Sequence, residues 1–122
     1  TTVWEHWDGI KPDGTMWSTD MNSFNHYADG AVADWMYGAA AGINSDPDRP
    51  GFEHIIFRPV TDRRLDFVKA SIDTRRGTVA SEWRRENSRI KYIFTVPEDC
   101  SASVIIGGEK HEVGAGTHEF LE

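Results

Sequence analysis

The sequence predicts a mainly β fold: an antiparallel β-sandwich preceded by one amphipathic helix that belongs to a larger helical array. Three observations carry that prediction. Apolar residues before residue 50 recur at helical spacing, those after it alternate with a period of two, and the change falls at the turn-rich stretch NSDPDRPG (44–51). The chain is accordingly divided into residues 1–50, with a helix over about 22–42, and residues 51–122, with the sandwich.

The first segment opens on TTVWEHWDG (1–9), followed by GIKPDGTM (9–16), which reads as a loop turning at Pro12–Asp13–Gly14. Then Phe24, Tyr27, Ala28, Ala31, Val32, Trp35, Met36, Ala39 and Ala40 fall on the i, i+3, i+4, i+7 template. Asn22 or Ser23 suits the N-cap, and Gly42 stands where a C′ glycine belongs. A helix of about 20 residues would run roughly 30 Å. Gly30 and Gly38 weaken it and suggest the close approach of another helix. One helix cannot bury its own apolar stripe, Phe24–Ala28–Ala31–Trp35–Ala39. That face should pack back on the sandwich, pair with a second copy as a homo-oligomer, or be poorly ordered.

The second segment reads as six or seven strands: 54–60, 65–74, 78–86, 89–97, 101–107, and the shorter 110–114 and 117–121. Ile90, Tyr92, Phe94 and Val96 show the alternation most clearly. Turn signals at Arg76–Gly77, Asn87–Ser88, Gly107–Gly108 and Gly114–Ala115–Gly116 leave only short loops between strands. Short strands joined by hairpins specify an antiparallel sandwich.

Composition narrows the function classes. The chain has 122 residues, 39% of them hydrophobic and 27% charged, which suits a folded domain. No apolar run approaches the roughly 18 residues of a membrane span, and no basic and apolar leader pattern opens the sequence. A single Cys100 excludes an intrachain disulfide and leaves the compartment undecided. The formal net charge is −7, and residues 1–50 carry eight acidic against two basic side chains. Such a segment repels phosphate backbones, which argues against nucleic acid. Four of the five tryptophans, Trp4, Trp7, Trp17 and Trp35, lie in the same acidic third. Aromatic faces beside carboxylates suit a neutral polyhydroxylated ligand such as a sugar, although core packing explains tryptophans equally well.

The chemistry-bearing residues are few. No HxxxH or HExxH spacing occurs, so no metal is expected; no G-x-S-x-G elbow or glycine-rich phosphate loop occurs either, and no cofactor is expected. What remains is WEHWD (4–8) and the polar run MNSFNHYA (21–28) leading into the helix. Taken alone, His26 fits a helix-capping histidine and Glu5 a surface carboxylate. Taken together with the tryptophans and Asn22 and Asn25, they fit a carbohydrate site in which a carboxylate activates water and neighbours orient hydroxyls.

TTVWEHWDG, MNSFNHYADGAVADWMY (21–37), AGI (41–43) and PGFEHIIFRP (50–59) resemble, in order and spacing, the C-terminal part of bacterial α-L-rhamnosidases, glycoside hydrolase family 78. At motif level the likeness covers about half of the chain, and KAS (69–71) with RGTVASEW (76–83) is similar to that family's first sandwich hairpin. The resemblance implies an (α/α)6 catalytic barrel followed by a C-terminal β-sandwich, of which this chain would hold the last barrel helix and the sandwich. It implies that Glu5 is the general base of an inverting hydrolysis and that His26 contacts bound rhamnose. Trp4, Trp7, Asn22 and Asn25 match positions around the site. His6 stands where arginine is common in the family, and Asp29 where an apolar residue is commoner, which puts local packing rather than chemistry in doubt. The implied partner is a rhamnosylated glycan or glycoside.

Inverting hydrolysis also needs a protonated carboxyl group roughly 6.5–9.5 Å from the base. Asp8, Asp13 and Asp20 are candidates by position, but exposed aspartates are ionised and make poor acids. The family's acid lies upstream of the matching region. The chain is therefore expected to be a C-terminal fragment, inactive alone. The rival expectation is a carbohydrate-binding sandwich using Trp83 or Tyr92, and the third is a sandwich that only braces the helix; Trp83 alternates with Val79, which favours a core position.

Overall fold

The computed structural model describes residues 2–122, which fall into two compact units, divided between Trp35 and Met36. In the first unit the helical turns are α1 (Tyr27–Gly30) and α2 (Val32–Trp35), separated at Ala31; the second unit begins with a π-helical turn, Met36–Ala40. The helical stretch therefore starts five residues later than the expected 22–42 and is not one regular helix. Its N-cap is His26, with φ −81° and ψ 101° and no side-chain capping bond, in place of Asn22 or Ser23. The reason is competition for the backbone: the His26 N–H donates to Val3 O and Ser23 O accepts from Glu5 N–H, so 23–26 are tied to the opening segment instead of starting the helix. At Gly38 the near neighbour among the described residues is Asn44. The Gly38 carbonyl accepts from the Asn44 side-chain amide at 2.9 Å, and a Cβ on Gly38 would lie 3.3 Å from Asn44 Oδ1. Of the larger residues on the helical template, Tyr27, Val32, Trp35 and Met36 are exposed.

The second unit continues with β1 (Ile43–Ser45), β2 (His54–Phe57), β3 (Phe67–Thr74), β4 (Gly77–Glu86), β5 (Arg89–Val96), β6 (Ser101–Ile106), β7 (Glu109–Val113) and β8 (Gly116–Leu121). They form two four-stranded sheets, ordered β1-β2-β6-β7 and β3-β4-β5-β8, which make the predicted sandwich. Seven of the strands overlap the stretches read as strands from the sequence. The eighth, β1, lies at the start of the stretch read as a turn-rich junction; three residues are too few to show a period, and its pairing with 55–57 is what makes it a strand. The strand expected over 54–60 ends at Phe57, ahead of Pro59, whose missing N–H cannot extend a ladder.

One pairing breaks the antiparallel pattern. β2 and β6 run parallel, with His54 opposite Ser101 and Phe57 opposite Val104. The chain leaves the first sheet after β2, builds the β3–β4–β5 meander of the second, and re-enters beside β2 in the same direction.

Inward residues of both sheets close the core. On β4 these are Val79, Ser81 and Trp83, and on β5 Tyr92, Phe94 and Val96, paired in register as Trp83 with Tyr92 and Ser81 with Phe94. Ile55 and Phe57 of β2 and Ala102 and Val104 of β6 meet them from the facing sheet. The Phe57 and Phe94 rings stack across the gap with centroids 4.6 Å apart. Fully burying side chains of this size contributes about 1.5–3 kcal/mol each before conformational entropy is set against it.

The end of the π-helical turn is built into this core. A helix leaves its last four carbonyls without intrahelical partners. Here Ala39 O accepts from Val60 N–H (2.9 Å), Ala40 O from the Trp83 indole N–H (2.8 Å), Ala41 O from the Ser81 hydroxyl (2.6 Å) and Gly42 O from Arg58 N–H (2.9 Å). Gly42 reverses the chain at φ 74°, and a Cβ there would lie 2.1 Å from Pro59 N. Only glycine fits.

Candidate functional site

Within the first unit, two backbone hydrogen bonds pair the opening segment with the stretch before α1. Glu5 N–H donates to Ser23 O at 2.9 Å, and His26 N–H donates to Val3 O at 2.8 Å. The two segments run antiparallel, and Trp4 between the bonds packs edge-on against Phe24, with centroids 4.8 Å apart and planes at 76°. Glu5 and His26, twenty-one residues apart in sequence, so occupy adjoining paired segments, and both side chains are half-buried.

The loop between these segments is organised by its own polar groups. The Asp13 carboxylate accepts from Thr15 N–H at 2.9 Å and from the Thr15 hydroxyl at 2.6 Å, and both bonds hold its pKa below the ordinary carboxylate value. Lys11 N–H to Thr15 O and Trp17 N–H to Gly9 O close the hairpin-like excursion. Gly9 is buried, and Asn22 Nδ2 donates to its carbonyl at 3.1 Å. A Cβ on Gly9 would lie 3.1 Å from both Asn22 Oδ1 and Phe24, so a larger residue here would press on both side chains. Asn22 Oδ1 is buried without a hydrogen-bond partner among the described residues.

The residues singled out in the sequence part company here. Glu5, His26 and Trp4 belong to the paired segments, and Asn22 ties the loop to them. Asn25 lies on the same stretch with an exposed side chain, and Trp7 is fully exposed. Thr1, the first residue of the TTVWE motif, lies outside the described residues. His6, the departure from the family pattern, packs its ring on Trp17 at 4.3 Å between centroids. Phe24 is the contact that sequence reasoning missed: it was assigned to the helix stripe but serves as the support of Trp4.

In the second unit Trp83 and Tyr92, the residues proposed for a carbohydrate-binding sandwich, are buried. The Trp83 indole is committed to Ala40 O and the Tyr92 hydroxyl to Glu122 at 2.6 Å, so neither offers a face to a sugar. His54 is also buried, with Nδ1 at 2.7 Å from Ser101 Oγ and Nε2 at 2.8 Å from Ser103 Oγ. The Ser103 hydroxyl donates to Glu112 at 2.9 Å, so it accepts from Nε2–H, and Nδ1 faces the Ser101 hydroxyl. The acid therefore binds the serine instead of orienting the histidine, and the set is a structural chain, not a hydrolytic triad.

Two family profiles match the chain: one described as the bacterial alpha-L-rhamnosidase C-terminal domain, over residues 42–121, and one described as the bacterial alpha-L-rhamnosidase 6 hairpin glycosidase domain, over 1–40. An alpha-L-rhamnosidase of Streptomyces avermitilis is 34% identical over 98% of this chain, and one of Formosa agariphila is 33% identical over 92%. The matches cover 13% and 12% of those relatives, so the chain spans about an eighth of their length. The solved S. avermitilis alpha-L-rhamnosidase complexed with L-rhamnose superposes with a TM-score of 0.77 at 32% identity, over 99% of this chain and 14% of that one. The native enzyme of Aspergillus terreus gives the same TM-score, identity and coverage.

Proposed function

The chain belongs to the bacterial α-L-rhamnosidase family, and from that membership we propose that it is the C-terminal part of an inverting glycoside hydrolase that releases terminal α-L-rhamnose from glycans or glycosides. Glu5 is the general base: its carboxylate takes a proton from the water that attacks the anomeric carbon on the face opposite the leaving group. His26 hydrogen-bonds the sugar, and Trp4 and Trp7 offer ring faces to its C–H surfaces, with Asn25 as a further polar contact. The partner acid, roughly 6.5–9.5 Å from the base in an inverting enzyme, is supplied by the barrel that precedes these residues. The residues before β1 are the barrel's last portion, and β1 onward is the sandwich domain. The chain alone is thus inactive.

The observation that carries this reading is the pairing of 3–5 with 23–26, which sets Glu5 beside the segment of His26. The test is Glu5→Gln in the full-length rhamnosidase containing this chain. Turnover of an aryl α-L-rhamnoside should fall by about 10²–10⁴-fold with the melting temperature retained. Turnover like wild type would remove Glu5 from the role, and hydrolysis by residues 1–122 alone would remove the need for an upstream acid.

For the sandwich itself, a bracing role is favoured by the four carbonyls of residues 39–42, each of which is satisfied by a donor from the strands or loops that follow.

A further inference from the structure

In the second unit, the β7 and β8 edges of the two sheets border a cavity of about 380 Å³, within the roughly 300–1,000 Å³ typical of small-ligand sites. Its apolar lining comes from Ile106 and Leu121 and from the Phe120 ring, on which the His111 imidazole packs at 5.1 Å between centroids. Its polar lining is carboxylate: Glu109, whose Oε2 lies 3.8 Å from His111 Nε2, and Glu122. Glu122 is held firmly. Its backbone pairs with Ile90 in both directions at 2.9 Å, and its Oε2 accepts from the buried Tyr92 hydroxyl at 2.6 Å. Burial, with the hydrogen bond to Glu122 and its charge, pushes the Tyr92 phenol well above its ordinary pKa, so it remains a donor. The second carboxylate oxygen of Glu122 lies over Gly107, within 2.8 Å of where a Cβ would stand.

We propose that this cleft is a sugar-binding site of the sandwich, taking one neutral pyranose ring. The Phe120–His111 pair would meet the ring's C–H face, and the fixed Glu122 carboxylate and Glu109 would accept its hydroxyl protons. Carboxylates on both sides of the opening disfavour anionic ligands such as phosphates or uronic acids. The site uses none of the residues of the proposed catalytic wall, so it stands or fails independently of Glu5. Its residues differ from Trp83 and Tyr92, which the core has consumed.

The test is a backbone-amide NMR titration of the whole 122-residue chain with methyl α-L-rhamnoside and, in parallel, with putrescine as a cationic probe. Saturable shifts at 106–111 and 119–122 with the glycoside, of millimolar affinity, are expected. They should weaken at least tenfold in Glu122→Gln and in His111→Ala, the latter a partly exposed side chain whose removal leaves the core intact. Glycoside shifts absent up to saturation of the solution, confined to residues 2–27, or unchanged in both variants would overturn the proposal. Shifts at the cleft with putrescine but not with the glycoside would overturn it too, by showing an amine site.

Discussion

Gly42→Ala tests how tightly the π-helical turn is joined to the sandwich, because the structure supplies its own control. Gly42 and Gly51 have nearly the same backbone conformation, φ 74° and 75°. A Cβ on Gly51 meets nothing within 4 Å, whereas one on Gly42 would lie 2.1 Å from Pro59 N and 2.4 Å from the Arg58 carbonyl carbon. Both substitutions carry the left-handed strain of about 1–2 kcal/mol, and both gain the same entropy from a stiffer unfolded chain. Only Gly42→Ala must move backbone. Displacing 58–59 strains two hydrogen bonds, Arg58 N–H to Gly42 O and Val60 N–H to Ala39 O. Each is worth about 1 kcal/mol net, and more where a buried carbonyl is left bare. The total is about 4 kcal/mol for Gly42→Ala against about 1 for Gly51→Ala. At roughly 4 °C per kcal/mol for a domain of this size, the melting temperatures should fall by about 15 °C and about 4 °C. Thermal melts followed by circular dichroism measure both. Equal losses in the two variants would show that the 42–59 contact yields, and would refute the reasoning.

Two further predictions probe the same unit. Trp83→Phe should lower stability by about 2–4 kcal/mol in urea denaturation, through the lost indole donor to Ala40 O and the space left behind; an unchanged midpoint would mean that Ala40 O finds another donor. Asp62 is held well below the usual carboxylate range by its side-chain and backbone hydrogen bonds from Arg64, at 2.8–2.9 Å. Its folded pKa is depressed, so its contribution is present above the unfolded value near 3.9 and is lost as pH falls through the folded one. Asp62→Asn should therefore melt below wild type at pH 7, with the gap closing toward pH 2; a gap that stays constant across that range would contradict the linkage.

The sandwich was legible because strand alternation is local. Ile90, Tyr92, Phe94 and Val96 announce their face within seven residues, and the same four line the inner surface. The parallel β2–β6 pair was not legible, since His54 meets Ser101 only after three strands of the other sheet have been built between them. The helix was read too long because Phe24 satisfies helical spacing while belonging to another contact, the face of Trp4. Glu5 and His26 were chosen by residue type and family likeness. What sets their segments side by side is a pair of backbone bonds, which leave no mark on side-chain patterns. The same limit explains the tryptophans: Trp4 and Trp7 looked equivalent in WEHWD, yet one packs and the other faces solvent.

The four carbonyls of residues 39–42 have a consequence for the order of events during synthesis. Their donors, Arg58, Val60, Ser81 and Trp83, are 16 to 43 residues further along the chain, so the end of the turn cannot be finished until β4 has been made. At about 5–20 residues per second, the ribosome imposes a wait of several seconds on a segment whose neighbouring side chains, Tyr37 and Met36 among them, are apolar and exposed. Sandwich and turn therefore mature as one late step, and a ribosome stalled before Trp83 would release a nascent chain with its last turn unsealed.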